Sequence, residues 1–104
     1  MSNKEPIDSK DIDKVIHEPA RLLIMTQLFV VQEADFIYLM RKTGLTWGNL
    51  SSHMTKLETA GYIDVEKTFV DKKPHTILKL TEQGRKAFRQ YRKTLKQVLN
   101  GADI

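Results

Sequence analysis

Thr43 to Gly61 reads TGLTWGNLSSHMTKLETAG, and the fold turns on these residues. Gly44 can end a preceding helix in the left-handed conformation that other residues avoid. Thr46 is a good N-cap, because its hydroxyl can take a free backbone N–H of the following turn. Leu50, Met54 and Leu57 then recur at helical spacing with His53 beside them, giving one apolar stripe. Gly61 ends the run. The other face carries Trp47, Gly48, Asn49, Ser51, Ser52, Thr55 and Lys56. A solvated helix more often carries Glu and Lys in pairs four apart. Small side chains that both donate and accept hydrogen bonds suit a helix that enters a groove. An ordinary exposed face is the competing reading.

Upstream, Met1 to Pro6 is polar and reads as a disordered start. Asp8 reads as an N-cap, with Ile7 able to staple onto Ile12, and a short helix is expected through Val15 and Ile16. Glu18-Pro19 opens the next helix, with Pro19 at the first position, where its missing N–H costs nothing. In that helix Ala20, Leu23, Ile24, Leu28 and Val31 form one stripe, and Leu22, Met25 and Phe29 a second. Two apolar faces predict burial on two sides. A third helix starts near Asp35, with Phe36, Leu39 and Met40 inward, and stops at Thr43-Gly44. Two helices joined by a short glycine-containing turn form a helix-turn-helix, whose second helix enters the major groove.

After Gly61 the period changes to alternation. Tyr62 to Phe69 reads as a strand with Ile63 and Val65 inward, Val70 to Pro74 as a turn, and His75 to Leu80 as a second strand with Leu78 and Leu80 inward. The hairpin has a basic tip at Lys72 and Lys73, with Lys67 and His75 as lesser support. Lysines at such a tip either reach nucleic-acid backbone or minor groove, or blunt an edge strand. Thr81 caps a last helix that Gly101 ends. The order of elements predicts a mainly α fold with a small β-hairpin, a winged helix-turn-helix. Residues 7–100 are expected to form this one domain, 81–100 its C-terminal dimerisation helix, and 101–104 a tail.

The stretches LTWGNLSSHMTKLETAGYIDVEK (45–67) and KKPHTILKLTEQGRKAF (72–88) resemble the small MarR/ArsR-like winged-helix transcriptional regulators. The shared features are Ser51-x-His53 in the recognition helix, Leu57-Glu58-x-x-Gly61-Tyr62-Ile63 at its end, and Leu80-Thr81-x-x-Gly84 at the start of the last helix. The resemblance spans about Ile16 to Tyr91. It implies a homodimer on pseudo-palindromic double-stranded DNA, with helix 46–60 in the major groove and wing 70–75 on flanking backbone or minor groove. By position, Trp47, Gly48, Asn49, Ser51, Ser52, Thr55, Lys56, Lys72 and Lys73 would face DNA. Asn49 and Ser52 suit base edges, whereas Ser51, Thr55 and Lys56 suit phosphates. Gly48 would allow close approach. Trp47 either packs on sugar or a thymine methyl, or covers the turn.

Gly84, Phe88, Tyr91, Leu95 and Val98 step by fours and threes. With Leu22, Met25 and Phe29, the side chains of Phe88, Tyr91, Leu95 and Val98 are expected at a dimer interface, since so small a domain has little interior to hide both sets. The alternative is packing within their own chain. Arg85, Arg89, Arg92 and Lys96 line another face, with three readings open: DNA phosphates, pairing with the acidic N-terminal segment, or plain solvation.

With 104 residues, 40% hydrophobic and 29% charged, the chain has the composition of a globular domain. Its net charge of +4 favours an anionic partner. No apolar run is long enough to span a membrane, and no signal peptide is seen, so a cytoplasmic protein is expected. There is no cysteine, so thiolate metal sites are not expected, and with no histidine in the last helix and no metal-type His/Glu spacing the metal-sensing branch of the resembling group is not expected either. Asp11 and Asp13 read as a solvated helix start. Nothing assembles a nucleophile, base and orienting group, so neither an enzyme nor a cofactor is expected, and no residue set names an effector. The alternative function is a winged-helix protein-interaction module without sequence-specific DNA binding.

Overall fold

A computed structural model of the chain describes residues 8–101. A single 3-10 turn at Ser9–Asp11 precedes α1 (Pro19–Val31), β1 (Glu33–Asp35), α2 (Phe36–Thr43), α3 (Trp47–Thr59), β2 (Ile63–Val70), β3 (Lys73–Leu80) and α4 (Glu82–Asn100). Each α-helix starts on a side-chain cap. Glu18, Asp35, Thr46 and Thr81 accept the backbone N–H of Arg21, Tyr38, Asn49 and Gly84 respectively. These bonds satisfy N–H groups that lie too near the helix start to find a carbonyl.

The expected short helix through Val15 and Ile16 does not form. Asp8 and Asp11 close a capping box around one 3-10 turn. Asp13 Oδ1 then takes the N–H groups of Val15 at 2.8 Å and Ile16 at 3.2 Å, making a turn that drops Ile16 into the core. Pro19 disfavours helical geometry in the residue before it, so the chain restarts there instead of continuing. Asp13 is half-buried, not a solvated helix start: its Oδ2 accepts from the Tyr62 hydroxyl at 2.5 Å. The disordered start at 1–6 and the Ile7 staple lie outside the described residues.

Ile16, Ile24, Met25, Leu28, Leu39, Leu50, Leu57, Ile63 and Leu78 are fully buried and form the centre of the core. Leu23 and Val31, expected in the first stripe of α1, are instead exposed. The buried face is Ala20, Ile24, Met25 and Leu28, so it merges parts of both expected stripes.

The hairpin is part of a three-stranded antiparallel sheet in the order β1-β3-β2. The sequence reading missed β1, which pairs Glu33 with Lys79 and Asp35 with Ile77. The expected turn at 70–74 is shorter. Val70 pairs with Lys73 and Phe69 with Pro74, so Asp71 and Lys72 alone make the turn, both at positive φ. A two-residue loop of this conformation matches the twist of its strands.

The Leu-Thr-x-x-Gly pattern has a steric cause. A Cβ on Gly84 would stand 2.1 Å from the Tyr62 carbonyl oxygen, which also accepts the Thr81 N–H. The first turn of α4 thus lies directly on the entry to β2.

Candidate nucleic-acid interface

The turn before α3 is held by local bonds. Gly44 sits at φ 74°, and its N–H donates to Met40 O. Thr43 Oγ1 donates to Leu39 O at 2.7 Å and accepts from Leu45 N at 3.3 Å. Thr46 Oγ1 accepts from Asn49 N at 3.2 Å, fixing where α3 begins. Leu50 and Leu57 anchor the inner face in the core, with Met54 packed beside them.

A clasp that the sequence reading did not find holds α3 from behind. Arg21 of α1 donates from Nη1 to His53 Nδ1 at 3.0 Å, from Nε to Val15 O at 2.5 Å, and from Nη2 to Lys14 O at 3.4 Å. One guanidinium, with its fixed fork of donors, ties the N-terminal turn and α3 to α1. The Glu18 carboxylate lies 3.8 Å from the same Nδ1. The Arg21 backbone N–H, donating to Glu18 Oε1 at 2.9 Å, holds that carboxyl below its ordinary value. No signal marked Arg21 in the sequence beyond its being a lone cation early in an apolar helix.

On the outer face, Gly48, Asn49, Ser52, Thr55 and Lys56 are exposed and Ser51 is half-buried. A Cβ on Gly48 would meet nothing within 4 Å. Thr55 Oγ1 spends its proton on Ser51 O at 3.2 Å and keeps only acceptor capacity. Trp47 packs against Phe36 at the start of α2, with ring centroids 4.6 Å apart, yet remains 62% exposed. It covers the turn with one side and leaves the rest of the indole open. Beside the last turns of α3, a shallow open groove of about 480 Å³ places Lys14 and Arg21 near Thr55, Lys56 and Thr59. Lys14 is a cation at this face that the sequence reading did not name.

At the hairpin tip Lys72 occupies the turn, at φ 65°, and Lys73 begins β3. Phe69 and Val70, which the sequence reading did not single out in the wing, are exposed there.

The residues expected at a dimer interface divide into two sets. Met25, Phe88 and Tyr91 are buried within the chain itself. Leu22, Phe29, Leu95 and Val98 are half-buried and still present surface. Phe29 lies 4.9 Å from Phe88, with the guanidinium carbons of Arg85 and Arg92 over its ring at 5.2 and 5.7 Å. Arg85 also donates to the Gln32 side chain. Two of the four cations on this α4 face are thus packed on an aromatic ring. Among the described residues no ion pair joins α4 to the acidic N-terminal segment. Tyr91 donates to or accepts from His17 Nδ1 at 2.9 Å, and its hydroxyl is pushed up by burial first and by the charge of Asp13 second. No group of three or more His, Asp and Glu side chains among the described residues gathers to hold a metal ion. No helix there is long and apolar enough to cross a membrane.

A helix-turn-helix with a two-stranded wing, sheet and flanking helices defines a winged helix. Residues 20–99 match the model of the winged helix DNA-binding domain, and the chain belongs to that family. It is 36% identical over 78 residues to an uncharacterized protein of Methanocaldococcus jannaschii, covering 75% of this chain and 85% of that protein. The structure of a transcriptional regulator homologue from Pyrococcus horikoshii OT3 superposes with a TM-score of 0.81 at 32% identity, covering 86% of this chain and 89% of that one. NadR, solved in complex with 4-hydroxyphenylacetate, shares the fold at a TM-score of 0.66 and 20% identity, over 86% of this chain and 65% of that one.

Proposed function

We propose that this protein is a transcriptional regulator that binds double-stranded DNA sequence-specifically as a homodimer, with α3 in the major groove. The observation that carries the reading is the outer face of α3. Apart from half-buried Ser51 it is exposed, free of acidic residues, and between Trp47 and Lys56 built from small groups, most of them polar. The similarity to the Pyrococcus horikoshii regulator homologue supports the same reading. Asn49 and Ser52 contact base edges, with Asn49 suited to a bidentate pair with adenine. Ser51, Lys56 and Lys14 meet phosphates, and Thr55 accepts from a base or water. Gly48 admits close approach at the helix start, and Trp47 rests its open side on sugar or a thymine methyl. Lys72 and Lys73 reach the flanking backbone or minor groove. Leu22, Phe29, Leu95 and Val98 supply the surface on which two copies associate.

Titration of a fluorescent random-sequence duplex at two salt concentrations tests the reading. Affinity should fall steeply with salt as counterions are released from phosphates. Affinity that is absent at low salt would sink it and favour the protein-interaction alternative, whose apolar contacts do not weaken with salt.

A further inference from the structure

The wing carries an aromatic residue that nothing in the fold uses. The β2–β3 ladder runs without interruption to Val70 and Lys73, and the Asp71-Lys72 turn closes it in the left-handed conformation at both residues. Such a turn keeps a two-stranded ribbon regular to its end. Side chains alternate across the ribbon, so one face carries the pairs Ile63–Leu80, Val65–Leu78, Lys67–Thr76 and Phe69–Pro74. The core takes the first two pairs and stops. Phe69 is 73% exposed and stacks on no other ring among the described residues. Its cross-strand neighbour Pro74 is also exposed, which makes a small apolar point rather than a lone ring. Lys67 lies two residues back on the same face and Lys72 stands in the turn beside Asp71, whereas Lys73, paired with Val70, is on the other face. Glu66 of the same strand faces the other way and pairs with Lys79 at 3.0 Å.

Resting on the DNA-binding reading above, we infer that Phe69 is a wedge: the wing tip enters the minor groove beside the site of α3, and the ring inserts at a base step there. The charge pattern selects the partner. Lys67 and Lys72 beside an apolar point match a groove walled by phosphates, and the minor groove accepts strands and inserted side chains. Apolar side chains inserted from the minor groove partly unstack a step. Pyrimidine–purine steps such as TA and CA yield most easily, and A-tracts resist. Phe69 therefore adds a preference for a deformable flanking step, at a position where α3 reads nothing.

The test uses the full-length protein and duplexes it recovers from a random pool. Those duplexes are remade with 2-aminopurine for adenine in the flanking region, with either a TA step or an A-tract there. Wild type should favour the TA duplex and raise 2-aminopurine fluorescence through unstacking. Phe69→Ala should bind that duplex about tenfold more weakly, the size of one lost stacking contact, with an unchanged salt slope, no step preference and no fluorescence rise. Phe69→Leu should keep most of the preference. Phe69 is outside the core, so both variants should keep the wild-type melting temperature. Equal step preference and fluorescence in wild type and Phe69→Ala would overturn the wedge and leave the α3 reading intact. Loss of self-association in Phe69→Ala would also overturn it, making the tip a contact between copies. If wild type bound no duplex, the α3 reading itself would fail, and the wedge with it.

Discussion

Two glycines show how the same residue serves opposite ends. Gly84 is demanded by the chain's own backbone: a methyl group there collides with the Tyr62 carbonyl. Gly84→Ala should therefore destabilise the fold by about 3 kcal/mol, at the upper end of overpacking costs, read as a lowered denaturant midpoint. Gly48 is demanded by nothing inside the molecule. Gly48→Ala should raise stability by ~0.5–1 kcal/mol, since alanine favours helix, yet weaken binding to a recovered duplex. If the variant bound that duplex as well as wild type, close approach at Gly48 would be wrong. Tyr62 gives a pH signature. Burial, and then its bond to Asp13, push the hydroxyl up to about 12 from 10.0. The folded state holds the proton more tightly than the unfolded one. The stabilisation is therefore full below the unfolded value and is lost as pH rises through the folded one. Denaturant midpoints from pH 9 to 12 should fall more steeply for wild type than for Tyr62→Phe. The recurrence of Gly84 after Leu-Thr was legible in the sequence, but its reason was not. The collision involves the Tyr62 carbonyl, just ahead of β2, which comes near only once β2 and α4 have docked. Arg21 was hidden for the same cause, since its acceptors lie in two separate segments, the Lys14–Val15 turn and α3.

Elements set by local chemistry were legible. The caps at Glu18-Pro19, Asp35, Thr46 and Thr81 each bond a backbone N–H only a few residues on, so residue type and position suffice. Thr46→Ala should cost about 1 kcal/mol of stability and reduce amide protection in the first turn of α3, measured by hydrogen exchange. Unchanged protection there would mean the turn, not the cap, fixes the helix start. Elements set by distant partners were not legible. β1 is three residues long and exists because β3 offers Ile77 to Lys79 beside it. The N-terminal turn failed as a helix because Asp13 bonds the next two free N–H groups itself and Pro19 forces a restart. The inner edge of α1 was misplaced because its neighbours lie on several sides. A stripe read from periodicity alone cannot tell which flank the sheet and α4 cover.

The molecule measures 58 × 25 × 20 Å, with a radius of gyration of 15.7 Å. A compact chain of this length would have about 13 Å. The length comes from elements that reach beyond the core, such as the wing and the later turns of α4. The latter carry half-buried Leu95 and Val98 and exposed Leu99. Val30 of α1 is 77% exposed. Covering such surface with a second copy is the natural outcome for a small domain, and a two-fold dimer would present two α3 helices to one duplex. Sedimentation at micromolar concentration should show a dimer, and Leu95→Glu with Val98→Glu should convert it to monomer while far-UV spectra stay helical. A monomeric wild type would contradict the dimer without touching the groove face of α3.

That face is the central claim, and selection from a randomised duplex pool tests it most directly, run in parallel on wild type and on Asn49→Ala with Ser52→Ala. Wild type should enrich one motif, repeated as two related half-sites about one helical turn, ~10 base pairs, apart. The double variant should keep salt-dependent affinity for unselected duplex and lose the enrichment. A wild type that enriches nothing, or a variant that enriches the same motif, would contradict the account.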